Sequence, residues 1–304
     1  MRGIVGGAAG TVHQSIALMK TVLLVGLLVF GLGFALRWLV ALRSRAAAAV
    51  ESARPPLTAV LLGFVTDFFD TLGIGSFAPT AAVLRFARMV PDRQIPGTMN
   101  VGHTLPVVVM ALLFLDLVEV EAATLVTMIA CAVVGAWFGA GLVARLPRRP
   151  IQIGIGVGLG VAAVLMVMGQ LGVMPVGGAA LGLSTAPLLL AGVVSVLLGA
   201  LNTLGIGFYG PCMILVALLG MDPKAAFPIM MGSCAFLMSV GSARFIADGA
   251  YSPRIALGIT LGGVPAVFLA TMLVGSLDLT ALRWLVVVVA SYTAVMMLWA
   301  ARRP

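Results

Sequence analysis

The chain has 304 residues, of which 62% are apolar and 9% charged; its formal net charge is +8 and its mean hydropathy +1.18. A soluble domain carries about 25% charged residues, so this is not a soluble domain. The basic excess stands at the ends of apolar runs, where it sets orientation in a bilayer rather than binding nucleic acid.

Nine hydrophobic elements follow one another. A hydrocarbon core about 30 Å thick needs roughly 20 apolar residues per helix, so about ten elements fill the length. The first, about Ile16 to Leu42, is longer than the apolar core of a signal peptide, and a retained helix is expected. The linker Ser44 to Pro56 leads to Leu57–Met89, too long and too interrupted for one helix. Then come Pro96–Leu115, Ala122–Ala144, Ile151–Val173, the again long and interrupted Pro187–Gly220, Ala225–Ala247, Ile255–Gly275 and Leu282–Ala301. Helices are expected throughout, because backbone in lipid must satisfy its own hydrogen bonds. Cys131, Cys212 and Cys234 lie in apolar stretches without metal-site spacing and read as packing residues.

The chain repeats itself. Asp70-Thr71-Leu72-Gly73-Ile74-Gly75 matches Asn202-Thr203-Leu204-Gly205-Ile206-Gly207. The same register pairs Pro55 with Pro187, Pro79 with Pro211, Pro91 with Pro223, Pro96 with Pro228 and Met99 with Met231. This divides the chain into an N-terminal helix and linker (1–53), repeat 1 (54–173), an inter-repeat loop (174–185) and repeat 2 (186–304). Each repeat holds one broken element and three plain helices.

Charge decides how the copies face. If each broken element crossed the membrane, arginines would fall on both sides, against the positive-inside rule. If each dips in and returns, Arg43, Arg45, Arg54, Arg85, Arg88, Arg93, Arg145, Arg148, Arg149, Arg244, Arg254, Arg302 and Arg303 share one face. Asp116, Glu119, Glu121, Asp222 and Asp278 then lie opposite, with Arg2, Lys20, Lys224 and Arg283. The expected fold is an all-α polytopic membrane protein of two inverted repeats. Each repeat is a re-entrant broken hairpin plus three transmembrane helices, and one extra N-terminal helix completes seven crossings and two hairpins. The N-terminus faces out and the C-terminus lies in the cytoplasm, the broken-helix plan of many secondary transporters.

Half-helices restarting near Ser76 and Phe208 would aim free N–H groups and the positive end of the helix dipole at the hairpin tips, a setting that favours a small anion. The alternative is that Gly73, Gly75, Gly205 and Gly207 only let helices pack closely. Duplication of the whole string, each time with proline four residues on, favours the site.

The paired Gly-Ile-Gly elements, each followed by proline and a loop, together with Arg244 through Gly249-Ala250-Tyr251-Ser252, resemble the sulfite exporter TauE/SafE family, the toluene-sulfonate uptake permease group. The resemblance covers about residues 57–300. It implies a transporter of small sulfur-containing or organic anions such as sulfite and sulfoacetate-like sulfonates. The chain departs from the family's pattern at Ser76 and Phe208, where a third glycine is usual, and at Asp67 and Asp70.

The expected solute-binding residues are Thr71, Gly73, Gly75, Ser76, Asn100, His103, Asn202, Thr203, Gly205, Gly207, Tyr209 and Ser233. Asp67 and Asp70, one helical turn apart at membrane depth, are candidates for coupling to H⁺ or Na⁺; alternatively they cap a half-helix or pair with Arg85 or Arg88. No resident cofactor, metal site or catalytic residue is expected. An intramembrane serine protease built on Ser76 and His103 is the disfavoured enzyme reading, and an anion channel is the nearest alternative function. Expected partners are a small anionic solute and the lipid of the cell inner membrane; a homodimer is open and nucleic acid is not expected.

Overall fold

The computed structural model describes residues 2–46, 55–143, 148–171, 178–202, 208–276 and 278–302. In chain order the helices are α1 (Arg2–Ala46), α2 (Leu57–Thr71), α3 (Phe77–Phe86), α4 (Ile95–Leu117), α5 (Ala122–Val143), α6 (Arg148–Gln170), α7 (Thr185–Asn202), α8 (Tyr209–Leu218), α9 (Ala226–Asp248), α10 (Pro253–Ser276) and α11 (Leu279–Ala300). Short 3-10 turns precede α4 and α9, at Asp92–Gln94 and Pro223–Ala225. Among the described residues there is no strand, only an isolated bridge between Ala180 and Met221. The fold is all-helical, and α7–α11 follow the order and lengths of α2–α6 closely.

Among the described residues, five helices are long and apolar enough to cross a membrane: α1 over Lys20–Arg43, α4, α7, α9 with its preceding turn, and α10 over Pro253–Val274. Shorter apolar runs lie in α5, α6, α8 and α11. α1 begins well before the apolar stretch, because no proline interrupts the Gly- and Ala-rich residues upstream.

The tightest packing joins helices distant in sequence. α2 lies on α10 and α5 on α7, while α4 pairs with α9 and α6 with α11. Glycine sets the first two crossings. A Cβ on Gly63 would strike the Ile259 backbone, and one on Gly262 the Val60 carbonyl. At the other crossing, Gly135 meets Val196 and Gly199 meets Ala132 in the same way. Lipid offers little hydrophobic drive between helices, so close backbone approach supplies the van der Waals contact that holds them. In the core between, Phe114 stacks on Phe227 with ring centroids 5.1 Å apart.

The two ends of the bundle are built from different segments. At one, Ala59 and Leu62 from the start of α2 cluster with Leu84, Val90, Ile95 and Ile255. The chain that leaves along α2 is therefore back beside its starting point by the end of α3. Ser252 N–H donates to Thr98 Oγ1 at 3.0 Å at this end, tying the α9–α10 loop to the start of α4. At the far end of α4, Lys20 pairs with Asp116 at 3.4 Å. There Glu121 N–H donates to the Leu181 carbonyl at 2.7 Å, and Asp222 N–H to the Ala180 carbonyl at 2.9 Å. The residues before α7 and after α8 thus also lie side by side, at the end opposite to the α2–α3 closure.

Both short helices stop in the same way. Arg88 N–H donates to the Arg85 carbonyl and Met89 N–H to that of Leu84; Gly220 and Met221 repeat the pattern on Ala217 and Val216. This stop needs a left-handed residue after the cap. Gly220 supplies it at φ 79°, whereas the first copy forces Arg88 to φ 50°.

Candidate functional site

The break after α2 is local backbone chemistry. Gly73 stands at φ 91°, its N–H donating to the Asp70 carbonyl, while Ile74 N–H donates to the Phe69 carbonyl. That pair of bonds closes the helix, and the positive φ it demands suits glycine. Gly75, at φ 90°, then turns the chain, and α3 restarts with Ser76 as its cap residue. The free N–H of Ser76 is not left to solvent. Asp70 Oδ1 accepts it at 2.7 Å, so the end of α2 caps the start of α3. Of the structural roles posed for the two carboxylates, Asp70 makes the capping bond.

The second broken element leaves α7 at Asn202 and restarts at Phe208, the cap residue of α8. Thr203, Gly205 and Gly207 lie outside the described residues. What flanks them converges with the first break on one cavity of about 90 Å³. One wall is Asp70, Gly75 and Ser76; the opposite wall is Asn202, Phe208 and Tyr209. Tyr292 and Thr293 of α11 close a third side, and Cys234 and Met238 of α9 lie nearby. A site this size holds several waters or one small solute. Its polar groups are few and point in from separate helices, the usual make-up of a small-molecule site.

Behind the first wall lies a wholly buried polar chain. His103 Nδ1 is 2.8 Å from Asp67 Oδ1, and its Nε2 is 3.0 Å from Thr80 Oγ1. Asp67, Thr80 and His103 are each fully buried. With the proton on Nδ1, the imidazole donates to the carboxylate and accepts from the threonine hydroxyl; as imidazolium it donates to both. Asp67 Oδ2 has no hydrogen-bond partner and lies against Gly263 and Pro106, where any side chain on residue 263 would collide with it. Asp67 is therefore paired with a histidine rather than with Arg85 or Arg88. The chain also uses both ring nitrogens of His103, on Asp67 and Thr80, so Ser76 is not the partner of the imidazole.

Of the residues expected at the site, Asp70, Gly75, Ser76, Asn202 and Tyr209 line the cavity. The others have different positions. Thr71 Oγ1 donates to the Asp67 carbonyl at 2.7 Å, Asn100 Nδ2 to the Pro96 carbonyl at 2.9 Å, and Ser233 Oγ to the Ile229 carbonyl at 2.7 Å. These donors are spent on their own helices, and none of the three lines the cavity. Gly73 packs against Met213 and Met230, while His103 and Asp67 stand one layer back. Sequence reasoning passed over Thr80, Tyr292 and Thr293. The signal for the last two was a polar pair inside the apolar run of α11; for Thr80 it was a hydroxyl directly after the repeated Pro79.

A family model described as Sulfite exporter TauE/SafE matches residues 1–166. No curated protein and no solved structure matches the chain. The matched stretch takes in α1 to α5, the first broken element, the Asp67–His103–Thr80 chain and most of α6. It spans more than half of the sequence, and with the all-helical fold and its apolar helices it establishes that the chain belongs to the sulfite exporter TauE/SafE family of membrane transporters.

Proposed function

We propose that the chain moves a small oxoanion, sulfite or an organosulfonate of the sulfoacetate class, across the inner membrane through the cavity between the two broken elements. Seven crossings and two re-entrant hairpins give inverted repeats, with the N-terminus outside and the C-terminus in the cytoplasm. The solute is held by backbone N–H groups and by Ser76, Asn202 and Tyr209 at the hairpin tips, and is exposed to each side in turn. The observation that carries this reading is the shared cavity, walled by the end of α2 and start of α3 on one side and by the end of α7 and start of α8 on the other. The closure of α2–α3 at one end and of α7–α8 at the opposite end supports the inverted arrangement. The Lys20–Asp116 pair, with Glu121 and Asp222 at the same end, agrees with placing these charges on the outer face. Non-helical backbone at membrane depth is tolerated where it lines such a cavity.

The test is reconstituted flux with sulfite, sulfoacetate, isethionate, taurine and carboxylate analogues, varying pH and Na⁺. Saturable counter-exchange of sulfite or a sulfonate is expected, and Asn202→Leu, which fills the cavity, is expected to abolish it while the protein still inserts. Undiminished flux in that variant would remove the site. A conductance that does not saturate would make the chain a channel.

A further inference from the structure

Asp70 and the solute occupy one cavity. The carboxylate lines it directly, 3% exposed, with Oδ1 held by the Ser76 N–H. The groups around it are few. On its own helix stands Asp67, hydrogen-bonded to His103 of α4 and outside the cavity lining. Tyr209 of α8 and Cys234 of α9 face it and are neutral in their ordinary forms. Tyr292 of α11 shares the cavity, α3 offers the Ser76 amide, and α10 brings Gly263 up to Asp67. Among the described residues that line the cavity, Asp70 is the one carboxylate, and no lysine or arginine stands with it. In the second copy the same position is Asn202, which lines the same cavity without a charge.

An ionised Asp70 would sit beside a bound anion in a medium of low dielectric, and it already holds the Ser76 amide that the anion would use. Resting on the anion-transport reading above, we infer that each solute anion is accompanied by one proton carried on Asp70. The proton comes from water on whichever side the cavity opens. It converts the carboxylate to the neutral acid, which releases the Ser76 N–H to the solute, and it returns to water on the other side when the solute leaves and the carboxylate recaptures the amide. No bond other than O–H is made or broken. For a monovalent sulfonate the cycle moves no net charge.

Binding of the proton and of the anion favour each other reciprocally. Anion affinity therefore falls as pH rises, by about tenfold per pH unit once Asp70 is mostly ionised. The test uses proteoliposomes of the full chain loaded with a pH-sensitive dye, with isethionate outside, since its sulfonate stays ionised near neutrality. Isethionate uptake is expected to acidify the lumen one proton per anion, to be unaffected by clamping the membrane potential with valinomycin, and to persist when choline replaces Na⁺. Asp70→Asn, which copies Asn202, is expected to lose the dye response and to flatten the pH dependence. Uptake of isethionate without acidification, or uptake that requires Na⁺, would overturn the proton assignment while leaving anion transport standing. Acidification preserved in Asp70→Asn would overturn the assignment to this residue. The wild-type dye record decides the coupling even if the variant fails to fold. Absence of flux for isethionate, sulfoacetate and sulfite alike would remove the anion reading itself.

Discussion

The two broken elements follow one sequence pattern and differ where it matters most. In the first, Asp67, Thr80 and His103 form a buried polar chain; in the second, the same register holds Gly199, Cys212 and Ala235, all small and without charge. Gly199 lets α7 touch α5 backbone to backbone, whereas on α2 the Asp67 side chain fills that level and glycine appears on the partner helix instead, at Gly263. At the tips the contrast is Asp70 against Asn202. The end of α2 brings a carboxylate to the start of α3, while Asn202 brings no charge to the matching wall. One repeat thus keeps the plain scaffold and the other has taken on charge. A buried ionisable group at membrane depth is expensive and tends to be functional; under the proton-coupling proposal, the first copy is the half that senses protons.

The sharpest way to break the comparison is at the buried pair. His103→Ala, which installs the second copy's residue, leaves Asp67 without its partner and should cost about 3–5 kcal/mol, read as a shift in SDS-titrated unfolding. Converting the whole chain together, Asp67→Gly with Thr80→Cys and His103→Ala, should recover to within about 2 kcal/mol of the parent, because no polar group is then stranded. A triple variant as unstable as the single would mean that packing, not charge, holds this layer.

The next largest effect is expected at the tip. Asn202→Asp gives the second copy a carboxylate of its own. A charge about 6 Å from a bound anion repels it by about 3 kcal/mol at an effective dielectric of about 20, roughly a hundredfold in affinity. Isethionate or sulfite counter-exchange should weaken accordingly, and more at high pH than at low pH, since protonation removes the repulsion. Unchanged affinity at high pH would show that the anion does not approach Asn202.

The smallest effect lies at the matched helix stops. Arg88 adopts the left-handed conformation that Gly220 supplies in the second copy. Arg88→Gly should stabilise the protein by about 0.5–1 kcal/mol, the relieved backbone strain less the added freedom of the unfolded chain. A loss of stability would reveal a contact of the arginine that outweighs its backbone cost.

Much of this was legible beforehand, for identifiable reasons. Apart from the start of α1, helix limits fell within a few residues of the apolar runs, since a lipid-facing helix must be apolar for most of its length. The restarts at Ser76 and Phe208 were readable because Gly-Ile-Gly and proline punctuate the backbone whatever surrounds them. Partnership was not readable. Asp67 finds His103 thirty-six positions away, and nothing in local spacing distinguishes that imidazole from an arginine. Asn100 and Ser233 were drawn in by their chemistry alone, yet each spends its donor on a carbonyl one turn back in its own helix, a common resort of polar side chains inside helices. The α11 residues Tyr292 and Thr293 escaped notice because only the tertiary arrangement brings the last helix to the cavity.

The glycine-lined crossings carry a consequence for any motion. α2 belongs to the first sequence half yet is clamped to α10 of the second, and α7 of the second is clamped to α5 of the first. The halves are laced together like clasped hands, so neither can pivot as an independent block. Whatever swings must be a mixed body, α2 with α10 or α5 with α7, that straddles the sequence boundary. A polypeptide severed between the halves would therefore stay associated as a two-piece assembly, each fragment locked into the other.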